Sequence, residues 1–146
     1  MISIGCDHGG FEIKNSIIAH LKERGVEFID RGCYTADSID YPEIAVKVAN
    51  DVKCGEAEKG ILVCGTGIGM SIAANKIKGI RAAVCQDHFS VKYTRLHNNT
   101  NILCLGGRVI GPGVADELVD LFLDTEFMGG RHQRRVDMIT DLENNF

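Results

Sequence analysis

The chain has 146 residues, of which 45% are hydrophobic and 25% are charged; these values are typical of one soluble globular domain, taken as residues 1–146. Sixteen basic against twenty acidic residues give a net charge of −4, which excludes a chain-wide basic surface for nucleic acid. No apolar run is long enough to span a membrane, and the N-terminal sequence MISIGCDHGGF lacks the features of a signal peptide.

The six cysteines include no C-x-x-C pair, so zinc-ribbon and thioredoxin motifs are absent. Several lie in apolar runs, where a thiol behaves as a small hydrophobic side chain. This pattern favours a reducing compartment, and we expect a cytoplasmic protein. Because the histidines are scattered and no ligand spacing occurs, we expect no metal site.

Short apolar runs alternate with helical patterns along the whole chain. Strands are predicted over 1–6, 26–30, 60–64, 80–85 and 101–105. Helices are predicted over 11–24, from Pro42 to Gly55, and over 70–77, 89–96, 114–123 and 131–142, the last one short and polar. Residues 32–40 are predicted to form a loop. About five consecutive βα units predict an α/β fold, with a parallel five-stranded sheet between helices on both faces.

Ligands of open α/β sheets bind beyond the carboxyl ends of the strands. This rule selects residues 7–10, 32–41, 65–69, 86–88 and 106–108. His97 and Asn98 instead follow the fourth helix, at the far end from its own strand. If they take part in the chemistry, we expect them to do so in the site of a second subunit, which implies a dimer.

The segment Gly65-Thr66-Gly67-Ile68-Gly69 joins a buried strand to a helix, and its main-chain amides can converge on an anion. A tight turn without a ligand is the alternative. The spacing is G-x-G-x-G rather than the dinucleotide pattern G-x-G-x-x-G, and Met70 stands where a P-loop has lysine. The loop therefore suits an oxyanion of a small ligand better than a nucleotide.

Cys64 directly precedes this loop, where facing N–H groups favour a thiolate that can act as base or nucleophile. The alternative is one more core cysteine. Asp7 and His8 end the first strand and suit acid–base work or phosphate contact, or else a helix cap with histidine at its rim. Asp87 is predicted to be an N-cap without a chemical role.

A basic cluster opens the last helix. Arg131 and Arg135 are four residues apart, so they share one helical face and match a phosphate dianion, and Arg108 is a third candidate. A solvated basic face is the alternative. An anion loop, a base, an acid–base pair and phosphate-binding arginines together fit enolisation of a small phosphorylated carbonyl compound, without a cofactor.

These motifs together resemble the ribose-5-phosphate isomerase type B family, which also contains allose- and galactose-6-phosphate isomerases. The resemblance spans nearly the whole chain and rests on Gly5-Cys6-Asp7-His8-Gly9-Gly10, Tyr41-Pro42, Cys64–Gly69, His97–Asn101, Leu105–Arg108 and Arg131–Val136. It implies a five-stranded, Rossmann-like three-layer sandwich. It also implies a homodimer with active sites between subunits, or a tetramer built from such dimers.

The resemblance further implies roles for single residues. Cys64 would be the base that moves a proton between C1 and C2, in the cysteine branch of a family in which some members carry serine instead. Thr66 and the amides of Gly65 to Gly69 would hold the ene-diolate oxygens, and His97 and Asp7 would serve ring opening. The remaining substrate contacts would be Asn98 on the sugar and, on the phosphate, His8, Arg108, Arg131 and Arg135.

Three functions stay distinguishable by experiment. An isomerase of ribose 5-phosphate or of a 6-phosphohexose exchanges substrate hydrogen with solvent, and relative turnover of the two sugars separates them. A sugar-phosphate sensor binds without exchange. A cysteine hydrolase would form a covalent intermediate on Cys64.

Overall fold

Five strands and six helices alternate in the computed structural model, which describes residues 1–146. The strands are β1 (Ile2–Cys6), β2 (Phe28–Asp30), β3 (Lys59–Cys64), β4 (Ala82–Val84) and β5 (Ile102–Gly106). The helices are α1 (Phe11–Glu23), α2 (Tyr41–Cys54), α3 (Ile68–Ala74), α4 (His88–Asn98), α5 (Pro112–Asp124) and α6 (Arg131–Asn145). One 3-10 turn, His8–Gly10, precedes α1.

All five strands are parallel and lie in the order β2-β1-β3-β5-β4, which confirms the predicted α/β fold class. From β1 the chain moves outward to β2 and then returns to the other side of β1 as β3. The carboxyl ends of β1 and β3 therefore meet where the winding direction reverses, which is the usual ligand crevice of such sheets.

The core has two layers because buried strand residues alternate between the faces of the sheet. In β3, Ile61 and Val63 pack against α1 and α5, whereas Leu62 and Cys64 pack against α2 and α3. Both layers are apolar, as the unbroken hydrophobic run of β3 predicts. The same alternation directs the Cys64 side chain toward α2 and α3.

Most of the residues predicted to begin or end helices do so in the structure. Asp87 caps α4, since its carboxylate accepts a hydrogen bond from the Ser90 N–H at 2.9 Å. Gly55, with φ of 80°, ends α2, and Pro42 lies in the first turn of that helix. None of the helices is both long and apolar enough to cross a bilayer.

The predicted bounds of several strands and helices were wrong. β2 and β4 are only three residues long, because each is an edge strand paired on one side. α3 starts at Ile68 and stops at Ala74, earlier than the predicted 70–77. α6 is neither short nor simply polar, since it has 15 residues and exposes Ile139 and Leu142.

One buried charge ties α1 to the loop of residues 31–40. Lys14 is 1% exposed, and its Nζ donates to both carboxylate oxygens of Asp30, at 2.9 and 3.0 Å. It also donates to the Cys33 carbonyl at 2.7 Å. A buried ammonium needs such partners to offset its lost hydration. Lys14 therefore fixes where the loop leaves β2.

We predict that Lys14→Ala lowers the free energy of unfolding by about 3–5 kcal/mol, because it leaves the Asp30 carboxylate and the Cys33 carbonyl without their donor. Urea denaturation measures the change. Lys22→Ala, the same substitution at an exposed position of α1, is the control, with an expected effect within about 0.5 kcal/mol. Equal effects in the two variants would contradict this account of the loop.

Candidate functional site

Asp7 and Cys64 are neighbours at the reversal point of the sheet. The register pairs Cys6 with Val63, and the next hydrogen bond runs from the Asp7 N–H to the Val63 carbonyl at 3.1 Å. Asp7 is buried, and its Oδ1 accepts from the Gly9 N–H at 2.8 Å. This carboxylate thus caps the 3-10 turn rather than α1, whose N-cap is Gly10, and its other oxygen makes no hydrogen bond within the chain.

The glycine loop after β3 turns its main chain toward the Cys64 sulfur. The Gly67 N–H donates to Sγ of Cys64 at 3.1 Å. Gly67 has a φ of +82°, in the left-handed region, and a Cβ there would lie 3.0 Å from the Leu105 carbonyl carbon. Only glycine fits this close approach without strain. One main-chain donor of the loop therefore meets the thiol, whereas the Ile68 N–H donates to Oγ1 of Thr66 at 3.2 Å.

Three other thiols in or next to the strands are poorly suited to act as bases. Burial, reinforced by the Asp87 carboxylate, raises the pKa of Cys85 to about 11. Burial also raises the pKa of Cys104 far above its usual range. Burial and the Cys33 thiol, whose sulfur is 3.6 Å away, raise the pKa of Cys6 in the same direction. These three cysteines behave as the core residues that the sequence predicts.

A cavity of about 270 Å³ lies next to Asp7 and the glycine loop, and His8, Gly9, Gly107 and Arg108 contribute to its wall. The Arg108 N–H donates to the Gly65 carbonyl at 3.0 Å. The guanidinium lies over the same glycine, since a Cβ on Gly65 would be 3.4 Å from Nη1 of Arg108. Arg108 forms no ion pair within the chain, so its charge is available to an anion in this cavity.

The loop of residues 31–40 determines which nitrogen of His8 can donate. The Ile39 N–H donates to Nδ1 of His8 at 3.3 Å. Nδ1 must carry a lone pair to accept this bond, so the ring proton is on Nε2. His8 therefore offers an Nε2–H donor, and Arg108 a positive charge, on the wall of one cavity.

The other predicted residues lie elsewhere. α4 runs from the carboxyl edge of the sheet to the opposite edge, so His97 and Asn98 are remote from their own glycine loop. His97 stacks on His132 of α6, with ring centroids 4.0 Å apart. Arg131 and Arg135 flank this stack on exposed positions of α6. One chain therefore does not bring them to Cys64.

The histidine stack is held in an electropositive environment. Burial lowers the pKa of His132, and the neighbouring His97, Arg131 and Arg135 lower it further. Both effects favour the neutral form of the His132 ring. Neither Arg131 nor Arg135 has a carboxylate partner within the chain, which leaves both free to bind an anion.

Sequence reasoning assigned no role to three residues that shape the site. Tyr41 packs against the glycine loop, since a Cβ on Gly69 would lie 2.6 Å from its ring. Gln86, which follows β4, donates a hydrogen bond from its side-chain amide to the Thr66 carbonyl of the glycine loop. Lys14 anchors residues 31–40 through its hydrogen bond to the Cys33 carbonyl. Tyr41 and Gln86 both lay in segments selected by the strand-end rule, whereas Lys14, inside α1, did not. No group of three or more His, Cys, Asp or Glu side chains is arranged to hold a metal ion.

Known proteins match nearly the whole chain. Residues 2–139 match a family described as Ribose/Galactose Isomerase. Ribose-5-phosphate isomerase B of Escherichia coli is 52% identical over 142 residues, covering 97% of this chain and 95% of the relative.

Two solved structures share the fold along nearly their whole length. Ribose-5-phosphate isomerase B of Clostridium thermocellum has a TM-score of 0.96 and 51% identity, covering 98% of this chain and 97% of that one. The enzyme of Mycoplasma genitalium, solved with bound ribulose 5-phosphate, has a TM-score of 0.95 and 41% identity, covering 99% and 97%.

The His8 geometry makes a prediction about its substitutions. The amide nitrogen of glutamine can reach the position of Nε2, whereas asparagine reaches only that of Nδ1. His8→Gln should therefore bind inorganic phosphate within about tenfold of the unmodified protein, and His8→Asn should bind it about 10- to 150-fold more weakly. Isothermal titration calorimetry measures both affinities. Equal losses in the two variants would show that Nε2 is not the donor.

Proposed function

Because the chain belongs to the ribose/galactose isomerase family, we propose that it interconverts ribose 5-phosphate and ribulose 5-phosphate without a cofactor. The observation that carries this proposal is the hydrogen bond from the Gly67 N–H to the Cys64 sulfur, beside a cavity walled by Arg108. It supplies a base candidate and a phosphate-sized anion site at one sheet edge. Aldose–ketose isomerisation needs both.

In the proposed reaction, the Cys64 thiolate removes the proton from C2 of the open-chain aldose. The electron pair of that C–H bond forms the C1–C2 double bond, and the carbonyl electrons move to O1, giving an ene-diolate. The resulting thiol returns the proton to C1, while a proton passes from O2 to O1. Thr66 and the amides of residues 65–69 would stabilise the oxygen charge as it develops.

The phosphate would bind at the other end of the cavity. His8 can donate from Nε2, and Arg108 supplies a positive charge. A charge-assisted bond from a guanidinium suits a dianion, and it orients the sugar so that its C1–C2 end reaches Cys64. Asp7, which is buried next to the glycine loop, would take part in proton transfer in ring opening.

We further propose that the active site is completed by a second copy of the chain. His97, Asn98, Arg131 and Arg135 have the chemistry that the site needs, but they lie at the opposite edge of the sheet. In a twofold dimer each copy supplies both parts, so two complete sites form.

Large apolar side chains near both parts support this dimer. Ile68 and Ile72 of α3 are more than half exposed, and so are Phe89 of α4 and Leu142 of α6. Apolar patches of this kind mark interaction surfaces. The same reasoning allows a tetramer built from two dimers. The content of reduced, mostly buried cysteines fits a cytoplasmic enzyme.

The activity is tested with purified protein and ribose 5-phosphate in heavy water. We expect ribulose 5-phosphate to appear and deuterium to enter the sugar at the exchanged carbon. Binding without deuterium incorporation would identify a sensor instead. The 6-phosphohexose alternative predicts faster turnover of allose 6-phosphate than of ribose 5-phosphate, and a parallel assay with both sugars decides between them.

The shared site makes a quantitative prediction. Cys64→Ala and His97→Asn should each lower kcat by about 10²–10⁴-fold, and Cys64→Ala should leave binding of inorganic phosphate intact. After the two inactive variants are mixed, unfolded and refolded together, half of the dimers are mixed and each contains one intact site. Activity should therefore return to about a quarter of that of the unmodified protein. Absence of recovery, with dimers present by light scattering, would place His97 outside the partner's site.

A further inference from the structure

Gln86 connects the ends of three neighbouring strands. It follows β4, and its Oε1 accepts from the Gly106 N–H, at the end of β5, at 3.1 Å. Its Nε2 donates to the Thr66 carbonyl, in the loop after β3, at 2.8 Å. The two neighbours fix the orientation of the amide, because an N–H requires an acceptor and a carbonyl requires a donor.

The bond to Thr66 acts on the peptide that faces the Cys64 sulfur. The Thr66 carbonyl and the Gly67 N–H belong to one trans peptide unit, so they point in opposite directions. Gln86 holds the carbonyl on one side at 2.8 Å, and the N–H on the other side meets Sγ of Cys64 at 3.1 Å. One side chain therefore sets the direction of a donor to the sulfur.

This peptide needs an external restraint because it precedes a glycine. Gly67 has no Cβ and adopts positive and negative φ about equally. Rotation of the Thr66–Gly67 peptide is therefore not hindered by a side chain at residue 67. The reversed peptide would direct a carbonyl oxygen at Sγ and disfavour the thiolate. The Gln86 amide fits here because residue 106 is glycine: a Cβ on Gly106 would lie 2.9 Å from Nε2 of Gln86.

We propose that Gln86 is a positioning residue for the base: by holding the Thr66 carbonyl it keeps the Gly67 N–H directed at Cys64 and favours the thiolate. This role rests on the proposed function, in which Cys64 is the base. A hydrogen bond to a charged acceptor is among the stronger ones in proteins, and a polarised peptide donates more strongly. Gln86 touches neither the sulfur nor the substrate cavity.

The proposal is tested with Gln86→Met, which keeps the length of the side chain and removes both hydrogen bonds. The readout is the rate of Cys64 alkylation by iodoacetamide against pH, followed on the Cys64 peptide by mass spectrometry. We expect the midpoint of this profile to move up by about one pH unit, so that alkylation near neutral pH is about tenfold slower. Cys54, the exposed cysteine, is the internal reference in the same sample.

Steady-state kinetics provide a second readout. In Gln86→Met, kcat should fall about tenfold near neutral pH and recover toward higher pH, with KM little changed because the phosphate contacts are intact. A merely structural role would lower the active fraction at every pH and leave the midpoint of the profile in place.

A matched control, Asn75 at the C-terminal end of α3, contacts the first residue of β4. Asn75 also bridges main-chain groups with its amide, donating to the Ala82 carbonyl at 2.9 Å and accepting from the Ala82 N–H at 2.8 Å. Asn75→Leu removes a comparable pair of bonds away from the thiol, and its alkylation profile should match that of the unmodified protein. Equal shifts in both variants would overturn the proposal, as would an unshifted profile in Gln86→Met.

A second variant tests the same proposal if Gln86→Met does not fold. Gln86→Glu keeps an acceptor for the Gly106 N–H but replaces the donor to Thr66 with a repelling oxygen, so alkylation of Cys64 should again slow. An unchanged alkylation rate in this variant overturns the proposal. The alkylation profile does not depend on turnover, so it still reports on Gln86 if the unmodified protein fails to isomerise ribose 5-phosphate, which would refute the proposed function alone.

Discussion

The contact between the carboxyl ends of β1 and β3 is the constraint from which the rest of the site follows. Parallel pairing carries Asp7 to the Val63 carbonyl, and the next residue of β3 is Cys64. The helices that follow these two strands, α1 and α3, pack on opposite faces of the sheet. A buried carboxylate and a buried thiol are thus neighbours beside the cavity lined by His8 and Arg108, although 57 positions separate Asp7 from Cys64 in the chain.

Main-chain groups, more than side-chain neighbours, decide what the reactive side chains can do. The Ile39 N–H occupies Nδ1 of His8 and leaves Nε2 as the donor. The Gly67 N–H meets the Cys64 sulfur, in a peptide whose carbonyl is held by Gln86. Main-chain donors are rigid when their loops are anchored, so they cost little reorganisation when charge develops. Buried anchors such as Lys14 then support the chemistry from outside the cavity.

The distribution of charge within one chain also has a functional meaning. Arg131 and Arg135 lie together on α6 without carboxylate partners, although acidic residues outnumber basic ones in the chain. They flank the stack of His97 on His132, at the edge of the sheet opposite Cys64. A twofold assembly in which these groups face the partner's cavity would bring both parts of the proposed site together. The same assembly would cover the exposed apolar side chains of α3 and α6.

The sequence by itself determined the order of strands and helices, the parallel sheet, the glycine loop beside Cys64 and the placement of His97 far from its own loop. These features follow from local hydrophobic periodicity and from the rule that parallel strands end at one edge. It did not reveal the buried Lys14, the tautomer of His8 or the bonds of Gln86. Those depend on which main-chain groups the folded chain places opposite a side chain, and residues distant in sequence supply them, so only the tertiary structure decided them.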